Sequence, residues 1–221
     1  MRMKSIVWRV ALATFFLAAI AARPAMADKF VPLPDLGGKG ETLKIRVVRY
    51  DGSTNGKMVV DVRNTGKSST KFVAEGIYFV PGGDPEKAPQ RLGAAGPFTV
   101  VGSKASPSSQ QELILQPGET RQLQLDVFCI DSHRGSPSPS TSFSVAGKRM
   151  PKELRQTIAT DAAKIIRRNQ GDVEKSKSEI QSTTWQARDR KWIKLEGERK
   201  QEKAAPSAPS NGDVQQQRRL R

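Results

Sequence analysis

Cysteine is almost absent from this chain, since Cys129 is the only one among 221 residues. A single cysteine cannot form an internal disulfide, so the fold must be held together by packing alone. Aromatic residues are also scarce, at 6% of the chain, and His133 is the only histidine. The disulfide-stapled class of small exported domains is therefore excluded.

Long apolar runs are absent beyond the N-terminus. The one such run, residues 10–22, is too short to span a bilayer, follows basic residues, and precedes the A-x-A cleavage pattern of residues 25–27. We therefore predict a signal peptide at residues 1–27 and a mature chain that begins at Asp28. The expected location is periplasmic or secreted, with no transmembrane segment after the signal is removed.

Motifs that would name a reaction are missing as well. The sequence has no Gly-rich phosphate loop, no paired catalytic carboxylates and no Ser/His/Asp spacing typical of a hydrolase. We therefore predict a protein that is not an enzyme and that needs no cofactor. The mature chain of about 190 residues is nevertheless long enough to bury one real hydrophobic core.

What the chain does contain, between residues 41 and 146, is a series of short apolar segments separated by polar turns. Segments at this spacing, with no helical period between them, are typical of an antiparallel sandwich or barrel. The predicted strands are residues 43–50, 58–62, 72–73, 77–80, 98–101, 113–115, 123–130 and 141–145. We predict a mainly β fold with an α appendage, in which an immunoglobulin-like antiparallel β-sandwich at residues 41–146 follows an N-terminal arm at residues 28–40.

From Pro151 onward the apolar residues recur at helical spacing. Pro151 suits the first turn of a helix, Gly171 suits a helix end, and Asp172 can cap a second helix. The predicted buried positions are Leu154, Ile158, Ala162 and Ile165 in the first helix and Ile180, Thr184 and Ala187 in the second. We predict a short helical hairpin at residues 151–195 that packs on the sheet or on itself.

Positive charge is concentrated in the last third of the chain. The formal net charge is +15, and residues 141–221 contain 19 Lys/Arg against 10 Asp/Glu. We predict that residues 197–221, which have almost no apolar side chains, form a disordered basic tail. This part could hold an anionic component of the cell envelope, or it could be a solvated tail without a ligand. The cations concerned are Arg190, Lys191, Lys194, Arg199, Lys200, Arg218, Arg219 and Arg221. Specific nucleic-acid binding is not expected, because the tail at residues 197–221 has no interleaved aromatic residues and the chain has no nucleic-acid motif.

The predicted strand at residues 123–130 carries the most unusual chemistry. Cys129, Asp131 and His133 follow one another at intervals of two, so they share a face if the strand continues. All three are ligand types for transition metals, yet three neighbouring positions on one strand rarely surround an ion. A Cys/His nucleophile pair at this spacing would be separated by about 13 Å along the strand. The alternatives are a buried, inert thiol and a histidine on the surface.

Two short segments resemble the motifs of bacterial surface thioester domains. Residues 128–130 (FCI) match the aromatic-Cys motif, and residues 180–185 (IQSTTW) match the second motif, in which a Gln is followed by apolar or aromatic positions. The resemblance implies an internal thioester between the sulfur of Cys129 and the side-chain carbonyl of Gln181. Such a bond traps amines on a target surface, and Trp185 would shield it from water.

Longer stretches resemble a group of exported bacterial proteins of unassigned function. The matching segments are residues 62–65, 76–80, 90–92, 115–118 and 128–131. These proteins have an immunoglobulin-like sandwich that ends in a Cys-containing strand, followed by a helical segment with a Gln…Trp pair. The resemblance implies the same fold and location, no known activity, and proximity of the Cys129 strand to Gln181 and Trp185.

The sequence thus predicts a non-enzymatic exported protein whose sandwich is an interaction or structural module for an unknown ligand. Two alternatives stay open. One is a thioester-type covalent adhesion module that uses Cys129 and Gln181, with Trp185, Asp131 and His133 in supporting roles. The other is a metal or redox site at Cys129 and His133.

Overall fold

A computed structural model describes residues 29–34, 42–52, 54–84, 87–102 and 112–191 of the chain. The predicted signal peptide, the basic tail at residues 197–221 and residues 192–195 of the helical region lie outside the described residues. The elements within them are β1 (Val31–Pro32), β2 (Leu43–Tyr50), β3 (Lys57–Asn64), β4 (Thr70–Val73), β5 (Tyr78–Pro81), β6 (Leu92–Val100), β7 (Glu112–Leu115), β8 (Thr120–Cys129), β9 (Phe143–Val145), α1 (Lys152–Arg168) and α2 (Val173–Lys191).

Seven of the described strands form one antiparallel sheet in the order β1-β2-β3-β8-β6-β5-β9, and β4 pairs with β7 in a separate ribbon. The sheet curls until it is nearly a barrel. Its two sides come together where the ring of Tyr50 on β2 lies 5.2 Å from the ring of Phe143 on β9. The ribbon covers the core, with the ring of Phe72 on β4 5.4 Å from that of Phe98 on β6. The prediction of a mainly β fold with an α appendage is confirmed.

Strand β8 lies at the centre of the sheet and contributes to two cores. Leu123, Leu125, Val127 and Cys129 face the inner core, which is enclosed by the curled sheet and the β4–β7 ribbon. Phe128 and Ile130 face an outer core that is shared with the two helices. Burial on both faces explains why the second half of β8 is apolar at almost every position.

The strand pattern of the sequence locates most of the sheet. The structure differs at β6, which begins at Leu92 instead of residue 98. Glycines and Pro97 make this segment look like a turn, but a shift of register between Ala94 and Phe98 absorbs them, with Gly96 at a φ of +132°. A short stretch of the predicted N-terminal arm also differs, since β1 pairs with β2 at the sheet edge.

The two helices form the predicted hairpin. All four predicted α1 positions, from Leu154 to Ile165, are buried in the outer core. Asp172 caps α2, because its Oδ1 accepts a hydrogen bond from the main-chain N–H of Lys175 at 3.0 Å. In the described part of the chain, neither helix combines the length and the apolar character needed to span a membrane.

The turn between the helices contains one conformationally strained residue. Gln170 adopts a φ of +59°, where a Cβ is unfavourable. Its N–H donates to Arg167 O at 3.1 Å and that of Gly171 donates to Ile166 O at 2.8 Å, which is a Schellman ending of α1. We expect Gln170→Gly to stabilise the protein by about 0.5–1 kcal/mol in urea unfolding. As a control, Gln156→Gly on the exposed side of α1 should destabilise it by about 1 kcal/mol. A loss of stability in Gln170→Gly would contradict the strain.

Candidate functional site

Helix α2 lies parallel to the C-terminal end of β8 and contacts it along its length. Near the start of the helix, Lys177 Nζ lies 3.7 Å from Asp126 Oδ1. Further along, Ser132 Oγ donates to Asp189 Oδ2 at 2.8 Å. The spacing is similar on the two sides, because the 12 helical residues rise about 18 Å, and the six residues from Asp126 to Ser132, which leave the strand after Cys129, span at most about 20 Å. Polar side chains therefore hold α2 in register with the strand.

Gln181 makes the central contact. Strand β3 begins at Lys57, opposite Asp126, so β8 continues past the end of its neighbour. There the N–H of Cys129 donates to Gln181 Oε1 at 2.9 Å, and Gln181 Nε2 donates to Cys129 O at 2.7 Å. The same N–H reaches Thr54 O at 3.3 Å. The side-chain amide thus takes the place of a peptide group on a neighbouring strand.

The thiol of Cys129 is fully buried in the inner core, with 0% of the residue exposed. Burial raises its pKa to about 12, and the charge of Asp131 acts in the same direction. Trp185 packs against the same core, and its Nε1 donates to Gln90 Oε1 at 3.1 Å. The structure thus brings Cys129, Gln181 and Trp185 together, and the hydrogen bonds of Gln181 go to the main chain of Cys129. The covalent thioester stays a prediction.

Thiol reactivity should report this burial directly. A pKa of about 12 leaves about one Cys129 thiol in ten thousand ionised at pH 8. In protein of full calculated mass, we expect Cys129 to react with a disulfide reagent at least about a hundredfold more slowly in the native state than in urea. Cys129→Ala supplies the blank. Fast, stoichiometric labelling of the native protein would contradict the burial.

Asp131 forms an ion pair with Arg91, the residue just before β6. Arg91 Nε donates to Oδ2 at 2.8 Å and Nη2 to Oδ1 at 2.6 Å, while its main-chain N–H donates to Oδ2 at 3.1 Å. Both residues are buried: only 4% of Arg91 and 1% of Asp131 is exposed to solvent. Burial raises the pKa of Asp131, but the hydrogen bonds and charge of Arg91, together with the charge of Arg188, outweigh it and leave that pKa below its ordinary value. Asp131 is therefore an ionised anchor of the fold.

His133 lies apart from this cluster. Strand β8 ends at Cys129, and a turn follows in which Asp131 O accepts the N–H of Arg134 at 3.0 Å. Cys129, Asp131 and His133 would share a face only if the strand continued; it ends at Cys129, and His133 is exposed while Cys129 is buried. Within the described ranges, no group of three or more His, Cys, Asp or Glu is placed to hold a metal ion. A metal or redox role stays a prediction.

Sequence reasoning missed several residues of the site. Arg91 and Arg188 are both buried beside Asp131, and Lys177 is buried beside Asp126. A signal existed, because Lys177, Gln181 and Arg188 recur at helical spacing on one face of α2. Such a stripe resembles a solvated face, so only its partners on the sheet identify it as a docking face.

Comparison with known proteins adds no relative. No protein family, no curated protein and no solved structure matches this chain. The fold and the site by themselves define a class: a mainly β domain to which a helical hairpin is fastened by buried polar side chains.

Proposed function

We propose that this chain is an exported, non-enzymatic interaction or structural protein, periplasmic or secreted. One observation carries the proposal: the polar side chains near the end of β8 are used in hydrogen bonds and an ion pair that link elements of the fold. Gln181 is bonded to the main chain of Cys129, and Asp131 is bonded to Arg91. These groups serve as anchors between elements, which is the role expected in a binding or structural module.

The assignment of the β domain as an immunoglobulin-like sandwich is part of the same proposal. Its support is that every described strand pair is antiparallel and that the β4–β7 ribbon faces the larger sheet across the inner core. Sandwiches of this kind present their loops at the two ends of the sheets. A binding surface on this domain is expected at one of those ends.

The partner that we propose is an anionic component of the cell envelope, held by the basic C-terminal part of the chain. The support is charge, since exposed cations continue along both helices. They include Lys152, Lys164, Arg167, Arg168 and Lys175. Attraction between such a surface and an anionic one is strong at low salt and is screened within about 8 Å at physiological ionic strength.

Vesicle sedimentation tests this partner. We expect the mature chain, residues 28–221, to sediment with vesicles that contain phosphatidylglycerol but not with phosphatidylcholine vesicles, and to be released by about 0.5 M salt. A chain that ends at residue 196 should bind at least about tenfold more weakly. Equal binding by the two chains, or no binding to anionic vesicles, would reject the basic tail as the contact.

A separate experiment tests export. N-terminal sequencing of protein from the periplasmic fraction should give Asp28 as the first residue.

A covalent adhesion module is the second candidate. Its support is the hydrogen-bond contact between the side-chain amide of Gln181 and the residue that bears the thiol, Cys129. Formation of a thioester releases ammonia, so the intact mass of the mature protein should lie about 17 Da below the calculated mass. Cys129→Ala should restore the calculated mass. A full mass together with one thiol that titrates after denaturation would end this proposal.

A further inference from the structure

A cluster of four charges lies where the first half of α2 meets the sheet. Lys177 Nζ is 3.7 Å from Asp126 Oδ1 and 2.9 Å from Glu174 Oε1. Lys57 Nζ is 3.1 Å from the same oxygen of Glu174. The side chains of Lys177 and Asp126 are only 10% and 9% exposed. A primary amine of the helix and a carboxyl group of β8 are thus buried in contact with each other.

Burial makes this ion pair costly. Two ions that leave water lose hydration, and their mutual attraction repays the loss only when the geometry is close and additional hydrogen bonds are present. At 3.7 Å the contact between Lys177 and Asp126 is loose. Burial raises the pKa of Asp126 even though Lys177 and Lys57 lower it. The surroundings of Asp126 therefore favour its uncharged form, and an amide carries no charge to desolvate.

We propose that Lys177 and Asp126 condense into an internal isopeptide bond that joins α2 to β8. The Nζ–Cγ bond forms, one Asp126 C–O bond breaks, and that oxygen leaves as water with two of the three Nζ protons. Glu174 Oε1, at 2.9 Å, accepts a proton from Nζ and returns it to the departing oxygen. The reaction needs no oxidant, reductant or co-reactant.

The surrounding charges are balanced before and after this step. Condensation removes one positive and one negative charge, and Glu174 remains paired with Lys57. The bond would supply the covalent link that a chain with one cysteine cannot obtain from a disulfide. A cross-link between residues 126 and 177 restricts the unfolded chain and so raises stability. This inference is independent of the proposed envelope partner.

Intact mass spectrometry of the full mature chain tests the bond. We expect a mass about 18 Da below the calculated value, and resistance of the 177–178 bond to trypsin. Lys177→Arg keeps the positive charge but lacks the amine, so it should show the full mass of its sequence. Lys175→Arg, at an exposed position of the same turn, and Cys129→Ala should both retain the loss of mass. Lys177→Arg should also unfold about 10 °C below Lys175→Arg.

Two results would overturn the bond. One is a wild-type chain of full calculated mass, and the other is a loss of mass that persists in Lys177→Arg. A loss of about 17 Da that survives in Lys177→Arg and disappears in Cys129→Ala belongs to the thioester and likewise rejects the isopeptide bond. Vesicle binding depends on none of these outcomes, so the bond and the proposed envelope partner can fail separately.

Discussion

Gln181→Ala is expected to lower the free energy of unfolding of the protein by about 2–4 kcal/mol. The substitution removes the Oε1 acceptor at 2.9 Å for the N–H of Cys129, which then keeps only the longer contact to Thr54 O at 3.3 Å, and it removes the Nε2 donor at 2.7 Å for the carbonyl oxygen of Cys129. Both main-chain groups are buried, and a buried carbonyl that loses this donor bears a desolvation cost, while the N–H exchanges a short hydrogen bond for a longer one. Urea unfolding followed by fluorescence and circular dichroism measures the difference in the free energy of unfolding.

Gln181→Glu separates hydrogen bonding from side-chain size. The introduced carboxylate can accept a hydrogen bond from the N–H of Cys129. Its second oxygen, however, lies against the carbonyl oxygen of Cys129, and two acceptors without a proton between them repel each other. Burial raises the pKa of that carboxyl group above its unfolded value of about 4.3. The variant should therefore gain stability as the pH falls through the folded-state pKa, because the protonated group can donate to the carbonyl.

The control is Gln186→Ala, at an exposed position of the same helix. It should change stability by no more than about 0.5 kcal/mol. If Gln181→Ala were as stable as this control, the main-chain clamp would not hold α2. Cys129→Ala keeps the main-chain groups, so it should retain α2 on the sheet, whereas a fold that depended on a thioester would lose its link in this variant.

Asp131→Asn is expected to cost about 3–5 kcal/mol, because it removes a buried negative charge that interacts with two buried guanidinium groups. Arg91 would lose its bidentate carboxylate partner, and the favourable interaction between the charges of Arg188 and Asp131 would disappear. Asparagine has nearly the same size, so packing changes little. Equilibrium unfolding at pH 7 measures the loss, and Glu112→Gln at the exposed Lys71 pair should cost no more than about 0.5 kcal/mol.

The pH dependence of the same pair provides a second measurement. The pKa of Asp131 in the folded protein lies below its ordinary value. Its contribution to stability is therefore fully present above the unfolded-state pKa of about 3.9 and is lost as the pH falls through the folded-state pKa. Below about pH 4 the wild-type protein should lose stability more steeply than Asp131→Asn. Parallel acid limbs for the two proteins would contradict the ionised anchor.

Local patterns in the sequence were enough for most of the secondary structure. Alternation of apolar residues predicted β2 and β8, and helical spacing predicted the buried residues of α1. The cap at Asp172 followed from residue type alone. The beginning of β6 at Leu92 did not, because the reason for Gly93 there is close packing: a Cβ would lie 3.1 Å from Met150 Cε and 3.2 Å from Ile130 Cγ2, so those side chains would have to shift. A contact between distant segments has no local signature.

The candidate site likewise has residues that the sequence marked and contacts that only the packing decides. Residue type marked Cys129 and Asp131 as notable, the resemblance to thioester domains marked Gln181 and Trp185, and the structure places all four near the end of β8. Residue type could not tell that Gln181 bonds to main-chain atoms, because a glutamine amide has the same donor and acceptor as a peptide group and can bond to either. It also could not tell that His133 turns outward, because the strand ends before it.

The sequence by itself determined most of the strands and both helices, since hydrophobic period and turn chemistry act between neighbouring residues. Only the tertiary structure decided which polar side chains are buried and with whom. Gln181 and Cys129 are 52 positions apart, and Arg91 and Asp131 are 40 apart. Whether such groups are solvated or bonded depends on the packing of α2 and β6 against β8, because a polar group is buried only where the whole fold supplies its partner.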